Sequence, residues 1–499
     1  MTEAAEIERA EALMAEGKTD EAVAITESLV AGPAPSHLAL ACHSGALKLA
    51  HRSDEALEFD RQAIERFASS PIAWHNYAAT LDDLGRGDEA VEACENAFRR
   101  GMDAPQTFAV YARALRAVGN HPRADYAYRQ ALMRAPAEVG VASEFANHLW
   151  MMTGDLKVAD SALDAAFHAG AQPAPLLIAK ATLYQAAGDS ERAFTLMEKA
   201  SERMPDDAFV HLAAVEYALR MDRVGLAETF SRRAEAVEPR SRSVIQYSAI
   251  VDLAAGRSSA AFGKLQGALR DHPNDQSLWG WMAVAARAVG DPLYERLCDY
   301  EKTVGVYDLE TPDGWPSLEA FLADLAKELK AVHIYRQHPT NQSMRHGSQS
   351  MHMLSGSNVP PVKAFFEAIE RPIREHMTKL GQGDDPLRRR NTFDYRLVGA
   401  WSVRLKPNGF HRDHFHPDGW LSSAFYVETP DEALETPEKQ GWIRFGKPPF
   451  VTSPPMEAAH YVRPKPGRLV LFPSYMWHGT VPFTTDEVRM TIAFDAVPK

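Results

Sequence analysis

A step of 34 residues, taken from the turn glycine of LDDLGRGDEA, constrains what most of this chain can become. From Gly85 it lands on Gly119 and, after one extra residue, on Gly154. It continues through Gly188, Asp222, Gly256 and Gly290, and runs backwards through His51 to Gly17. Five residues after each of the first eight turns stands an alanine: Ala22, Ala56, Ala90, Ala124, Ala159, Ala193, Ala227 and Ala261. A second follows seven residues later, at Ala63, Ala97, Ala131, Ala166, Ala200, Ala234 and Ala268, and Pro136, Pro205, Pro239 and Pro273 close four of the repeats. A fixed period of this size marks an array of helix–turn–helix units. Small residues seven apart share one helix face and admit a neighbouring helix, while Trp74, Tyr77, Leu81, Tyr111 and Leu115 are placed to fill the contacts. One such pair cannot bury its apolar face alone, so the pairs must stack.

This pattern resembles the tetratricopeptide repeat over residues 1–300, in eight or nine copies. The resemblance implies an all-α repeat solenoid whose groove binds a protein or peptide, or through which the chain forms a homodimer. Charge sharpens the partner. Residues 301–499 hold 24 basic and 24 acidic side chains, so the whole net charge of -13 belongs to the array. An acidic array favours a basic peptide, mainly through association rate, and argues against nucleic acid, whose binders carry basic stripes. No apolar run approaches the ~18–20 residues of a membrane helix. MTEAAEIERAEALMAEG lacks the charged and apolar regions of a secretory signal. Three scattered cysteines, Cys42, Cys94 and Cys298, fit a reducing cytoplasmic setting.

Beyond Gly290 the period fades, and residues 301–499 form a separate domain. SLEAFLADLAKELKAV predicts a helix capped by Ser317, and VPPVKAFFEAIERPIREHMTKLG predicts a second ending at Gly381. From residue 390 the period becomes strand-like: FDYRLVGAWSVRL, WLSSAFYVET, GWIRFG, GRLVLFPS and RMTIAFDAV are β-branched or aromatic runs bounded by Gly and Pro. Such strands predict a jelly roll or barrel preceded by flanking helices.

Within this region NGFHRDHFHPDGW carries His411, Asp413, His414, His416 and Asp418, and GRLVLFPSYMWHGTVPF brings His478. Ligands at i and i+2 project from one side of a strand, and a third on a distant strand can close one face of a metal. Non-haem iron(II) is held in this way with positions left open. Three pairs have that spacing: His411/Asp413, His414/His416 and His416/Asp418. In a regular strand the first two would face opposite sides, and Pro417 and Gly419 suggest a turn at the third. Trp401, Trp420 and Trp477 suit core or pocket wall, and His460 a structural place. No GxSxG, P-loop or GxGxxG motif opens a helix after a strand.

The set resembles the 2-oxoglutarate- and iron(II)-dependent oxygenases. It is closest to a group in which His-x-His-Pro runs into a Leu-Ser-Ser strand, here His414–Pro417 and Leu421–Val427, over about residues 310–498. The resemblance implies a double-stranded β-helix binding Fe(II), 2-oxoglutarate and O2. It places the metal on His414, His416 and His478, with His411 and Asp413 as the alternative. Arg489, eleven residues after His478, would grip the distal carboxylate of 2-oxoglutarate with its guanidinium fork, and Thr491 would add a hydroxyl. HPTNQSMRHGSQS contributes Gln342, Arg345 and Gln349, and the Leu-Ser-Ser strand contributes Tyr426, as substrate or cosubstrate contacts. The combined expectation is a dioxygenase hydroxylating a protein or peptide recruited by the repeats. The alternatives are a small-molecule hydroxylase whose repeats dimerise and a repeat scaffold with a non-catalytic or sensing domain. A zinc or cupin-like site would share the histidines.

Overall fold

The computed structural model describes residues 2–351 and 353–499. The chain divides into two compact units, Met1–Val141 with Met351–Asn358, and Ala142–Ser350 with Val359–Lys499.

The 34-residue step is written in the backbone. All nine turn positions adopt positive φ, from 55° at Asp222 to 86° at Gly188. His51 and Asp222 enter this left-handed region, where glycine is favoured. All eight alanines that follow the turns by five residues are wholly buried. There is a further 34-residue signal. The first helices of five repeats start behind Thr2, Ser36, Ser70, Asp207 and Asp275, whose side chains accept from the N–H three residues on. Each such cap contributes about 1 kcal/mol.

The first unit pairs helices such as Pro71–Asp83 with Gly87–Arg99, and Pro105–Ala117 with His121–Arg134. The segment 353–358 rests on one of its turns. A Cβ at Gly85 would lie 2.5 Å from the Met353 Cβ, so only glycine fits there.

In the second unit the later repeats, from Leu156–His168 to Gln276–Val289, belong to one body with a β-sandwich. Its strands are β1 (Gly305–Asp308), β2 (Met344–Gln349), β3 (Tyr395–His411), β4 (Leu421–Glu428), β5 (Ile443–Phe445), β6 (His460–Val462), β7 (Arg468–Pro473), β8 (His478–Thr480) and β9 (Arg489–Pro498). They form antiparallel sheets ordered β1-β7-β4-β9-β3-β2 and β6-β5-β8. The sheets meet through aromatic rings: Phe445 of β5 lies edge-on to Phe472 of β7, with centroids 5.1 Å apart. The predicted all-α repeat array is present, and the predicted β domain with flanking helices is seen as antiparallel sheets packed into a β-sandwich.

The helix Leu318–Val332 starts at Ser317, whose Oγ accepts from the Ala320 N–H at 3.2 Å. The single helix predicted over VPPVKAFFEAIERPIREHMTKLG is two, Pro360–Ala368 and Glu370–Leu380. Pro372 falls in the first turn of the second, where a missing N–H costs no helical bond. The short strands β1, β2, β6 and β8 lack a periodic run long enough to announce them.

Repeats and sandwich in this unit share buried hydrogen bonds. Trp477 Nε1 donates to Gly280 O at 2.9 Å, the Tyr475 hydroxyl to Leu297 O at 2.9 Å, and Trp150 Nε1 to His338 O at 3.0 Å. Trp281 packs on Trp477 with centroids 4.7 Å apart. The close approach requires Gly280, where a Cβ would lie 2.9 Å from Tyr475 O.

Candidate metal centre and its cavity

β3 ends at His411, and the next nine residues cross to β4 as a loop. The expectation that strand parity separates His411/Asp413 from His414/His416 fails here because the regular strand has already stopped. Instead His414 and His478 exchange both backbone hydrogen bonds, at 2.9 and 2.8 Å, and the His416 N–H donates to Ser474 O at 2.9 Å. These three bonds fix the segment against β8 and the loop before it.

The imidazoles of His414, His416 and His478 therefore converge, and the atoms they offer lie within 4.8 Å of one another. The Nε2 atoms of His414 and His416 are 3.2 Å apart. Each Nδ1 is anchored on the far side. His414 Nδ1–H donates to Arg412 O at 2.8 Å and His478 Nδ1–H to Met476 O at 2.9 Å. His416 Nδ1–H donates to Asp495 Oδ1 at 2.6 Å. An imidazole that donates through Nδ1 presents its Nε2 lone pair, the state a metal requires. Burial holds His414 down to about 3 and His478 well below the usual histidine range. His416 is also pulled down by burial, but the Asp495 charge and hydrogen bond, helped by Asp418, outweigh that and raise it.

The donor set fits a divalent metal with an affinity for imidazole: three neutral nitrogens converge, and among the described residues no carboxylate joins them. Asp413 is engaged elsewhere. Arg444 donates to it twice, at 2.9 and 2.6 Å, and its carboxylate lies against Gly479, where a Cβ would be 2.7 Å from Oδ1. His411 Nδ1 is 2.9 Å from Ser343 Oγ, which also sits 3.2 Å from His414 Nε2. Asp418 is exposed on the loop.

These residues line a cavity of about 820 Å³. Gln342, Arg345, Gln349, Arg489 and Thr491 also line it, whereas Tyr426 stands behind that wall. Arg489 is 2% exposed, its guanidinium lies 4.9 Å from the centre of the Tyr426 ring, and its Nε is buried without a hydrogen-bond partner. The Tyr426 hydroxyl is likewise buried and unpartnered. A buried guanidinium with an unsatisfied donor is fitted to receive a carboxylate. Thr491 pairs with both Val403 and Tyr426 in the sheet, which puts it beside Arg489 on β9.

The repeats also form part of this wall. Gln185 and Ser190 flank the turn at Gly188, and Arg220 ends the helix Ala208–Arg220, yet all three face the cavity. Sequence reasoning missed them, because about 190 residues or more separate them from the histidines. It also missed Asp495, although an acid in an otherwise apolar strand, FDAV, was a visible signal.

Residues 399–495 match the family model described as "Putative 2OG-Fe(II) oxygenase". The C-terminal region is thus similar to the 2OG-Fe(II) oxygenase family over these residues. The match takes in His411 through Asp418, His478, Arg489, Thr491 and Asp495, and leaves Gln342, Arg345 and Gln349 outside it. No curated protein matches. Among solved structures, a hetero-tetramer described as APC/C Cut9-Hcn1 aligns at 14% identity over 56% of this chain and 54% of that one, with a TM-score of 0.32. The chain thus spans about half the length of that relative. A tetratricopeptide repeat protein from Parabacteroides merdae aligns at 12% identity over 50% and 98% of the two chains, with a TM-score of 0.35. The C-terminal part of one from Cytophaga hutchinsonii aligns at 14% over 48% and 99%, with a TM-score of 0.32.

Proposed function

We propose that this protein is an Fe(II)- and 2-oxoglutarate-dependent dioxygenase that hydroxylates a protein or peptide substrate, with residues 1–300 recruiting the substrate and residues 301–499 forming a double-stranded β-helix catalytic domain. The observation that carries this reading is one cavity holding both three anchored imidazoles and the buried guanidinium of Arg489, whose Nε is left without a partner.

When bound, the iron and 2-oxoglutarate supply the oxidative decarboxylation that drives hydroxylation. The chain's part is placement. His414, His416 and His478 hold the metal through Nε2, and Asp495 keeps the proton of His416 on Nδ1. Arg489 grips the distal carboxylate of the cosubstrate, with Thr491 beside it. Trp401 and Phe472 give the cavity apolar wall, and the repeat residues narrow its access to water. A ligand set of three neutral imidazoles leaves more positive charge on the metal than one that includes a carboxylate, which favours an anionic cosubstrate.

The test is an anaerobic titration of the metal-free full chain with iron(II) and then 2-oxoglutarate, following the visible charge-transfer band of the chelate. The band is expected in the wild type and in His411→Ala, and lost in His414→Ala. In Arg489→Ala it is expected only at much higher 2-oxoglutarate. A band that survives His414→Ala and disappears in His411→Ala would move the ligands to His411 and Asp413. Bound iron without a band would point to a zinc or cupin-like site.

A further inference from the structure

The cavity's electrostatics run opposite to those of the acidic array. Five arginines line it: Arg220, Arg345, Arg412, Arg444 and Arg489. Asp413 neutralises Arg444, and Asp495 is taken by His416. Among the described residues Arg412 has no side-chain hydrogen-bond or ion-pair partner, and Arg345 has no carboxylate partner. Arg345 is nonetheless held in place, because its Nη1 donates to Gln342 O at 2.7 Å and to Met344 O at 2.6 Å while its Nε is buried and unsatisfied. Arg220, from the repeats, pairs with Glu216 at 2.6 Å and is 29% exposed. Burial and the charges of Arg412 and Arg220 push Arg345 down to about 9. Of Arg220, Arg345 and Arg412, Arg220 alone has a carboxylate partner among the described residues, and like charges held near one another are destabilising unless an anion joins them. Arg345 stands on β2, Arg412 on the loop after β3 and Arg220 on a repeat helix, whereas Arg489 stands on β9.

We propose that the substrate of this centre carries an oxyanion, a carboxylate or phosphate on a polypeptide side chain, that docks on Arg345 and Arg412 with Arg220 closing from the repeats. The inference rests on the oxygenase reading for what happens next to that side chain, but the docking itself needs only the arginines. It gives the second-unit repeats a direct role in substrate selection. A basic peptide attracted by the array's outer charge would have to present an acidic or phosphorylated residue to the cavity.

The test uses the full chain loaded anaerobically with iron(II) and 2-oxoglutarate, so that the Arg489 subsite is filled. Binding of N-acetyl-glutamate amide, N-acetyl-phosphoserine amide and N-acetyl-lysine amide is measured by calorimetry. At least one acidic probe should bind, with an affinity that falls as salt rises, and the lysine probe should not. Whichever acid binds better identifies the source of the oxyanion. Arg412→Gln, which removes no internal hydrogen bond, and Arg345→Gln should each weaken that probe at least tenfold, and Arg412→Lys should recover part of the loss. Binding of neither acid, equal binding by the glutamine variants, or preference for the lysine probe would overturn the proposal. The chelate band separates the two claims. Its presence without acid binding removes the docking site alone, and acid binding without the band removes the oxygenase reading alone.

Discussion

At the scale of single residues, the centre depends on which nitrogen of each histidine is occupied. Two backbone carbonyls and one carboxylate fix the three Nδ1 atoms. Asp495 is therefore expected to matter nearly as much as a ligand. Asp495→Asn keeps the shape but weakens the anchor, and metal affinity measured by competition with a chelator should fall roughly tenfold to a hundredfold. Ser422 reinforces the same carboxylate by donating to Asp495 Oδ1 at 2.7 Å, so Ser422→Ala should show a smaller loss in the same direction. Asp413→Asn is expected to leave metal affinity unchanged while lowering stability, because its carboxylate serves Arg444.

At the scale of elements, close approach is the recurring device. Ala124 is wholly buried at a helix contact, and Ala124→Leu should cost about 1–3 kcal/mol in urea unfolding through overpacking. The helix Glu370–Leu380 is fixed to β1 by His376, whose Nδ1 lies 3.1 Å from the Tyr307 hydroxyl. Burial, with Lys379 adding to it, pushes His376 down to about 4. Its folded-state affinity for protons is below that of the unfolded chain, so between pH 6.5 and 4 the unfolded state binds the extra proton. Stability should therefore be fully present above pH 6.5 and fall as the pH drops through that window, by up to roughly 3 kcal/mol from this group. In His376→Gln the acid limb should be shallower by about one proton, as read from urea midpoints at several pH values.

At the scale of the whole molecule, the repeats after residue 142 are part of the body that holds the site. Gly280→Leu would drive a side chain into Tyr475 O and displace the loop carrying Trp477 and His478. Its expected signature is loss of metal binding with helical circular dichroism retained. Conversely, saturating metal should raise the melting temperature of the wild type, since a ligand bound only by the folded state stabilises it in proportion to ln(1 + [L]/Kd). In His414→Ala that rise should be largely absent.

Much of this was legible in the chain. Steric rules make a positive-φ turn and a buried alanine recur wherever two helices must reverse and touch, so the array could be read from spacing alone, including the turns at His51 and Asp222. Ligand-type residues clustered at His411–Asp418 and His478 likewise marked a segment with metal-ligand spacing. What spacing could not decide was which pair points inward, because that followed from β3 stopping at His411 and from the backbone pairing of His414 with His478. Nor could it reveal that Asp495 anchors His416, that Asp413 is held by Arg444, or that Arg220 reaches the same cavity as Arg345 and Arg412. Local periodicity is set by contacts between near neighbours in sequence and survives in the sequence as a pattern. A site assembled from segments as far apart as Gln185 and Asp495 is set by packing, which leaves no periodic trace.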